Sequence, residues 1–383
     1  MTDTPHILFL CSWYPNKYEP TVGNFVKNHA KAVSRFCKVS VLYAHPNENV
    51  TGYQIETFSE NNNLNEYLVY YSANNKKDKI LRRFKAYKKG LEKIETEQGK
   101  INLTHLHVLY PAGLFAYYLK ETRGIPYVIT FHWSGYLPEA NLFSRLSSFR
   151  KALSIFVTRK ARTLLPISKK LKKSLEACGI KGKFKIIHNV IDTELFKPAS
   201  AKKPHDKIRL LHVSNIKEMK NVQGIIQAVV ELSKKRNDFS LTIVCEENYE
   251  VLNKSVALGN HQNLIEVVPP VSQTEVASLM QNSDIYVHFS NYETFGLTLL
   301  EALSCGIPVI ATHTGLVEEF NIEKFGKIVI KNNIEDLKSK LNWMLDHYTS
   351  FNPSAMHNFV EENFSYNVIG KKYLDTYQKI IHP

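Results

Sequence analysis

Short apolar runs alternate with longer stretches of helical periodicity along the whole chain. In the first half, Ile7–Cys11, Val39–Tyr43, Leu103–Val108, Tyr127–Thr130 and Thr163–Ile167 read as strands; in the second, Leu210–Val213, Leu241–Cys245, Ile285–Phe289 and Pro308–Ala311 do. Residues 23–36 and 222–235 read as helices. In the latter, Val222, Ile225, Ile226, Val229 and Val230 recur at three- and four-residue intervals and form one apolar face. Strands that are apolar on both faces, separated by helices, predict parallel sheets covered on both sides. The pattern occurs twice, with a break at Lys197–Asp206 that carries Pro198, Ser200, Pro204 and several lysines, the composition of a linker. The expected fold is therefore α/β, with two Rossmann-like, doubly wound domains over residues 1–197 and 198–363. Such sheets bind ligands beyond the carboxyl ends of their strands, so the residues that follow each apolar run are the ones to inspect.

A length of 383 residues agrees with two domains, since single cores stop growing below that size. The 44% hydrophobic and 22% charged content is ordinary for a globular chain, and no run of 18 apolar residues is present. Five scattered cysteines form no C-x-x-C pair, which argues against zinc and against a disulfide framework and leads us to expect a cytoplasmic protein. The net charge of +13 is uneven: +16 over residues 1–200 and −3 over the remainder. The excess concentrates in residues 76–89 and 145–162, where Lys and Arg interleave with aliphatic and aromatic residues. That composition suits a face lying on anionic lipid, which would make the protein peripheral on the inner face of a membrane; a merely solvated basic face is the competing reading. Nucleic acid would also suit the charge, but no nucleic-acid-binding motif is found, so no nucleic-acid partner is expected. The absence of G-x-G-x-x-G argues against a dinucleotide-dependent oxidoreductase.

The most informative segment runs from Ile285 to Ile310. A strand ends near Phe289, a loop carries Glu293 and Thr294, Gly296 opens a helix, and Gly306 with Pro308 closes it. The N–H groups of Phe295, Gly296 and Leu297, with the positive end of the helix dipole behind them, make an anion site in principle. Glu301 lies amid Leu299, Leu300, Ala302 and Leu303; it either faces solvent or needs a partner or ligand, because an unpaired buried charge is expensive. Upstream, Ser214, Asn215, Lys217 and Lys220 follow the strand Leu210–Val213. Lys220 sits at a helix start, where its charge would add to the dipole. In the first half, Gly23 opens a helix after Trp13-Tyr14-Pro15, and His132 stands at the end of the strand Tyr127–Thr130. A packed, structural histidine is the alternative account of His132, and of His107.

Glu293 and Glu301, with seven residues between them, Thr-Phe-Gly after the first and Ala-x-x-x-Gly-x-Pro after the second, resemble the E-x7-E signature of the retaining family 4 glycosyltransferases (glycosyl transferases group 1), which have the GT-B fold. The resemblance covers almost the whole chain and is strongest over residues 166–326. It implies two Rossmann-like domains facing a central cleft, with residues 364–383 crossing back onto the first. It implies transfer of a sugar from a nucleotide-diphosphate sugar, with retention, to a saccharide or lipid-linked saccharide acceptor in surface-polysaccharide biosynthesis.

Carried over, Glu293 touches the donor sugar, Glu301 the ribose, and Thr294–Leu297 with Gly296 the sugar and phosphate. Lys220 matches the lysine of the pyrophosphate loop. Ser214 and Asn215 stand where the family commonly has glycine and arginine, so Asn215 or Lys217 would have to supply that contact. Gly23 matches the N-terminal loop glycine that approaches the donor phosphate, and His132 the histidine that contacts the donor sugar. The resulting catalytic set is His132, Lys220 and Glu293. Neither cofactor nor metal is expected, and the chain has no D-x-D triplet to hold one against a diphosphate. A GT-B epimerase or phosphorylase would share the fold without this glutamate pattern.

Overall fold

The structure is a computed structural model that describes residues 4–200, 205–245 and 247–382. Residues 201–204 of the expected linker lie outside the described residues. The chain divides into two compact units, Met1–Val190 with Tyr366–Pro383, and Ile191–Ser365. The division thus falls a few residues before the proline-rich stretch.

The first unit holds strands β1 (His6–Cys11), β2 (Lys38–Pro46), β3 (Tyr53–Asn61), β4 (Leu64–Tyr71), β5 (Leu103–His107), β6 (Tyr127–Phe131) and β7 (Thr163–Pro166). Its helices are α1 (Asn24–Ser34), α2 (Lys76–Gln98), α3 (Gly113–Arg123), α4 (Ser148–Lys160) and α5 (Lys169–Ala177). The seven strands lie in the order β3-β4-β2-β1-β5-β6-β7, all parallel except β3, which runs antiparallel to β4. All six residues of β1 are buried, as a central parallel strand requires. The hairpin of β3 and β4 escapes the periodicity reading. Strand β3 is an edge strand whose residues are polar and mostly exposed, so it carries no apolar run.

The second unit contains β8 (Ile208–Ser214), β9 (Phe239–Cys245), β10 (Ile265–Val268), β11 (Ile285–His288), β12 (Val309–Thr312) and β13 (Gly326–Val329). Its helices are α6 (Val222–Ser233), α7 (Tyr249–Leu258), α8 (Gln273–Gln281), α9 (Leu297–Ser304), α10 (Ile334–His347) and α11 (Pro353–Phe364). The sheet order is β10-β9-β8-β11-β12-β13, entirely parallel. Numbered from its own first strand this is 3-2-1-4-5-6, the doubly wound order. Helix α6 buries Val222, Ile225, Ala228, Val229 and Leu232 against Leu210, Leu241 and Ile285, while Ile226 and Val230 pack at the margin. Each such fully buried aliphatic side chain contributes about 1.5–3 kcal/mol. In both sheets the winding reverses next to the first strand, between β1 and β5 and between β8 and β11. Two crevices follow, one per unit.

The last helix, α12 (Tyr366–Ile381), belongs to the first unit. It packs on α1 and buries Ile369, Tyr373 and Tyr377 with Ile7, Phe9 and Val33. A chain of hydrogen bonds ties it to the sheet: Tyr377 Oη meets His105 Nδ1 at 2.6 Å, His105 Nε2 meets Thr130 Oγ1 at 2.6 Å, and Thr130 Oγ1 meets Tyr373 Oη at 3.4 Å. Burial pushes the His105 pKa well below its ordinary value, so the ring is neutral and has one donor and one acceptor, both engaged. Replacing Tyr377 with Phe keeps the packing but strands His105 Nδ1 in the interior. Tyr377→Phe is expected to lose about 1–3 kcal/mol, read as a lower urea midpoint by circular dichroism; an unchanged midpoint would show that the helix is held by packing alone.

Candidate functional site

In the second unit the loops after β8 and β11 meet at the sheet reversal. The loop after β8 ends in a 3₁₀ turn, Glu218–Lys220, followed by Asn221, whose side chain accepts from Gly224 N–H and caps α6. Lys220 therefore stands just ahead of the helix rather than in its first turn. The backbone N–H of Asn291 donates to Met219 O at 2.7 Å, and Asn291 Nδ2 donates to Glu218 O at 2.9 Å. These bonds lock the two loops together and bring Lys220 Nζ to 2.5 Å from Glu293 Oε1. The same oxygen accepts from Ser290 Oγ at 2.9 Å and lies 3.3 Å from His288 Nε2.

Glu293 is only 4% exposed. Burial alone would push its pKa up, but the Lys220 ammonium and hydrogen bonding from His288 and Lys220 overcome this and hold it far below the usual carboxylate range. The site is thus a buried carboxylate kept ionised by a partly accessible lysine. Beneath it, His212 is held neutral, its pKa lowered to about 3 by burial. It bridges Val287 O and Ser214 Oγ, each at 2.7 Å.

The loop carrying Glu293 is clamped from the other side. Thr312 Oγ1 donates to Ser290 O at 2.6 Å, and Leu316 N–H donates to Phe295 O at 2.7 Å. At Gly315 a Cβ would lie 2.5 Å from Phe295 O and 2.9 Å from Glu293 Cβ, so this turn can press against the loop only as glycine. Gly296, at φ 95°, then turns the chain into α9 as its N-cap. The first N–H groups of any helix have no intrahelical acceptor, which makes the start of α9 a donor-rich edge beside Glu293. Thr294 and Leu297 are half-buried there, and Phe295 is buried. Glu301, one helical turn further on, is buried and not on a solvated face.

Two residues expected beside the donor phosphate have partners within the protein. Ser214 Oγ, besides meeting His212, donates to Asn215 O at 2.8 Å, so its hydroxyl is committed to the scaffold. Lys217 is about half exposed and pairs with Glu247 at 3.5 Å instead of joining Lys220. Asn215 Oδ1 is buried with no hydrogen-bond partner among the described residues.

In the first unit, Gly23 caps α1 at φ 79°, and a Cβ there would meet the Trp13 carbonyl carbon at 2.7 Å. Its role is close backbone approach. His132, just past β6, is 7% exposed. Its Nε2 meets His107 Nδ1 at 3.3 Å, and its ring packs 4.5 Å from Phe25 and 5.3 Å from His29. Burial holds His107 and His132 well below the ordinary histidine pKa and brings His29 to about 4. His132 is therefore both packed, as the structural reading expects, and at a strand end, as the functional one does. It also lines a cavity of about 300 Å³ beside Trp13, Phe131 and Trp133. Val108, at the rim of the same cavity, sits at φ 62°, a left-handed conformation rare for a β-branched residue and typical of functional sites.

Two sequence families match successive parts of the chain: "Glycosyltransferase Family 4" over residues 22–195 and "Glycosyl transferases group 1" over residues 193–363. The chain belongs to the group 1 glycosyltransferases. An uncharacterized glycosyltransferase of Methanocaldococcus jannaschii is 28% identical over 257 residues, covering 67% of this chain and 68% of the relative. The N-acetyl-alpha-D-glucosaminyl L-malate synthase of Bacillus anthracis is 27% identical over 248 residues, 58% of this chain and 59% of its own length. The chain thus spans about three fifths to two thirds of these relatives.

Among solved structures, sucrose-phosphate synthase from Thermosynechococcus elongatus superposes with a TM-score of 0.77 at 15% identity, covering 98% of this chain and 99% of that one. HepE of Anabaena, solved with UDP-glucose, gives 0.71 at 17% identity over 98% and 99%. These likenesses establish the GT-B fold of the glycosyltransferase.

Sequence reasoning located Lys220, Glu293, Gly296 and Glu301 but not His288 or Ser290. His288 ends β11 and Ser290 follows it by two residues, and the signal was a histidine and a serine at the carboxyl end of a buried strand. Lys220→Met should melt at lower temperature than the wild type at pH 7, because breaking a buried ion pair costs about 3–5 kcal/mol. The depressed Glu293 pKa stabilises the wild type above the ordinary carboxylate pKa and is lost as pH falls through its own lower value. In the variant, burial raises that pKa, so the penalty is present at neutral pH and relieved by protonation. The gap in melting temperature should narrow from pH 7 toward pH 4; a gap that stays constant would show that Glu293 is not held by Lys220.

Proposed function

We propose that this glycosyltransferase takes its sugar from a nucleoside diphosphate sugar and transfers it with retention and without a metal ion. The ion pair of Lys220 with Glu293, beside the start of α9 and at the carboxyl ends of β8 and β11, carries this reading. Lys220 and the first-turn N–H groups of α9 would bind the diphosphate, with Glu293 on the sugar hydroxyls and Glu301 on the ribose. That HepE is described in complex with UDP and with UDP-glucose supports a nucleotide-sugar donor. In the proposed step the bond from the anomeric carbon to the diphosphate oxygen breaks. The acceptor hydroxyl attacks from the same face, and its proton passes to the departing phosphate oxygen. Lys220 and the dipole of α9 stabilise the charge that develops on the diphosphate, a contribution of about 2–4 kcal/mol for one preorganised contact.

Lys220→Ala should therefore lower kcat/KM by roughly 30- to 1,000-fold, with activity in the wild type surviving EDTA. Uridine diphosphate should raise the melting temperature more than its 2′-deoxy form, since a site that hydrogen-bonds a hydroxyl rejects the analogue without it. Near-wild-type turnover of Lys220→Ala, or equal affinity for both nucleotides by calorimetry, would contradict the assigned roles.

The basic segments support a peripheral site of action on anionic membrane. No helix among the described residues is long and apolar enough to cross a bilayer. The first turns of α2 expose Ile80 and Leu81 among Lys76, Lys77 and Lys79, and α4 exposes Phe149 beside Arg150. This mixture of exposed apolar and cationic side chains suits a lipid surface, each basic residue adding about 1 kcal/mol. Sedimentation should show binding to phosphatidylglycerol-containing vesicles that weakens with salt, and none to phosphatidylcholine alone. Protein that stays in the supernatant under every condition would leave the basic face merely solvated.

A further inference from the structure

The cavity in the first unit is a poor place for a sugar. Its walls are Leu109, Leu114, Phe131, Trp133, Leu153 and Val157, among others, and the polar side chains that reach it are few, chiefly His132, Ser154 and Arg150. A saccharide placed there would lose hydration at several hydroxyls without gaining partners. A volume of about 300 Å³ lies at the small end of ligand sites and suits a short stretch of aliphatic chain.

The mouth differs from the walls. Arg150 and Tyr110 both line the cavity and both are exposed, and the Arg150 guanidinium lies 5.6 Å from the centre of the Tyr110 ring. Arg150 thus presents its charge at the edge of an apolar hole, held by a cation–π contact and free to meet an anion. Arg150 belongs to α4, and Phe149 beside it is 75% exposed. Apolar walls, a cationic rim and an exposed apolar neighbour fit one kind of ligand: an aliphatic chain that carries a phosphate.

We propose that the cavity holds the chain-proximal part of a lipid phosphate acceptor, with the phosphate at Arg150 and the apolar segment between α3, α4 and the end of β6. The assignment rests on the reading of the chain as a nucleotide-sugar transferase and names its acceptor class. Because His132 lines the same cavity, an acceptor bound there lies beside the histidine expected to serve the donor sugar.

Of the three tryptophans, Trp13 and Trp133 line the cavity, so intrinsic fluorescence of the full-length protein reports its occupancy. Decyl phosphate, titrated below its critical micelle concentration, should change the emission saturably, and decanol should bind at least about tenfold more weakly. Leu153→Asp puts a charge into the wall and Arg150→Glu reverses the rim; each should weaken decyl phosphate by about tenfold or more. Arg150 is exposed, so its variant keeps the result interpretable if Leu153→Asp misfolds. Tighter binding of farnesyl phosphate than of decyl phosphate identifies a branched prenyl chain and the reverse a straight saturated one, and either result supports the site. No saturable change, equal binding of decanol, or full affinity in Arg150→Glu overturns it. Affinity for uridine, guanosine and adenosine diphosphates measured in the same samples tests the donor reading separately: binding of none of them sinks that reading whatever the cavity binds.

Discussion

A carboxylate buried as deeply as Glu293 cannot stand alone in this fold. Taking a charge out of water costs several kcal/mol, and only a partner of opposite sign and well-placed donors offset it. Lys220, Ser290 and His288 are those partners. Much of the surrounding architecture follows from bringing them together. Asn291 must tie its loop to the turn that carries Lys220. Thr312 and Gly315 must press that loop from behind, and His212 must stay neutral beneath it. The pair is also unfinished in a useful way. Lys220 keeps 17% of its side chain exposed, against 5% for Glu293, so the cation can be shared with an incoming anion while the carboxylate stays in place.

The first unit solves a different problem. Its crevice is lined by rings rather than by an ion pair. His105 and His107 lie 3.9 Å apart between ring centres, and His107 and His132 are stacked at 5.6 Å. Packing cations this close would be repulsive, and burial keeps all three rings uncharged. Neutral imidazoles behave as flat aromatic side chains with one donor and one acceptor, which explains how four histidines, with His29, fit a dry core. The result is a crevice with apolar and aromatic walls in one unit and an ionic, donor-rich one in the other.

Most of the parallel strands were legible because both of their faces are buried, so they appear as unbroken apolar runs; β4 and β13 were not, because Asn65 with Glu66 and Lys327 interrupt theirs. Strand β3 was not, because an edge strand exposed to solvent has no such run. The donor-side residues were legible through the spacing of Glu293 and Glu301 and through the position of Lys220 after a strand. The burial of Glu301 was not, since helical periodicity alone leaves a carboxylate free to face either way. The pairing of Lys217 with Glu247 was not legible either, since it joins loops thirty residues apart in sequence. His288 and Ser290 were missed because their contacts with Glu293 depend on how the short loop after β11 folds back on itself, which periodicity does not show. The apolar cavity was missed because its walls come from four separate stretches of chain, at Trp13, 108–114, 131–136 and 146–157.

The most direct test of the account is a crystal structure of the protein with uridine diphosphate. The account predicts the diphosphate at the start of α9, within hydrogen-bond distance of the Gly296 or Leu297 N–H and of Lys220 Nζ, with the ribose hydroxyls on Glu301. A nucleotide bound elsewhere, or bound there with Lys220 still paired only with Glu293 and Glu301 apart from the ribose, would contradict it.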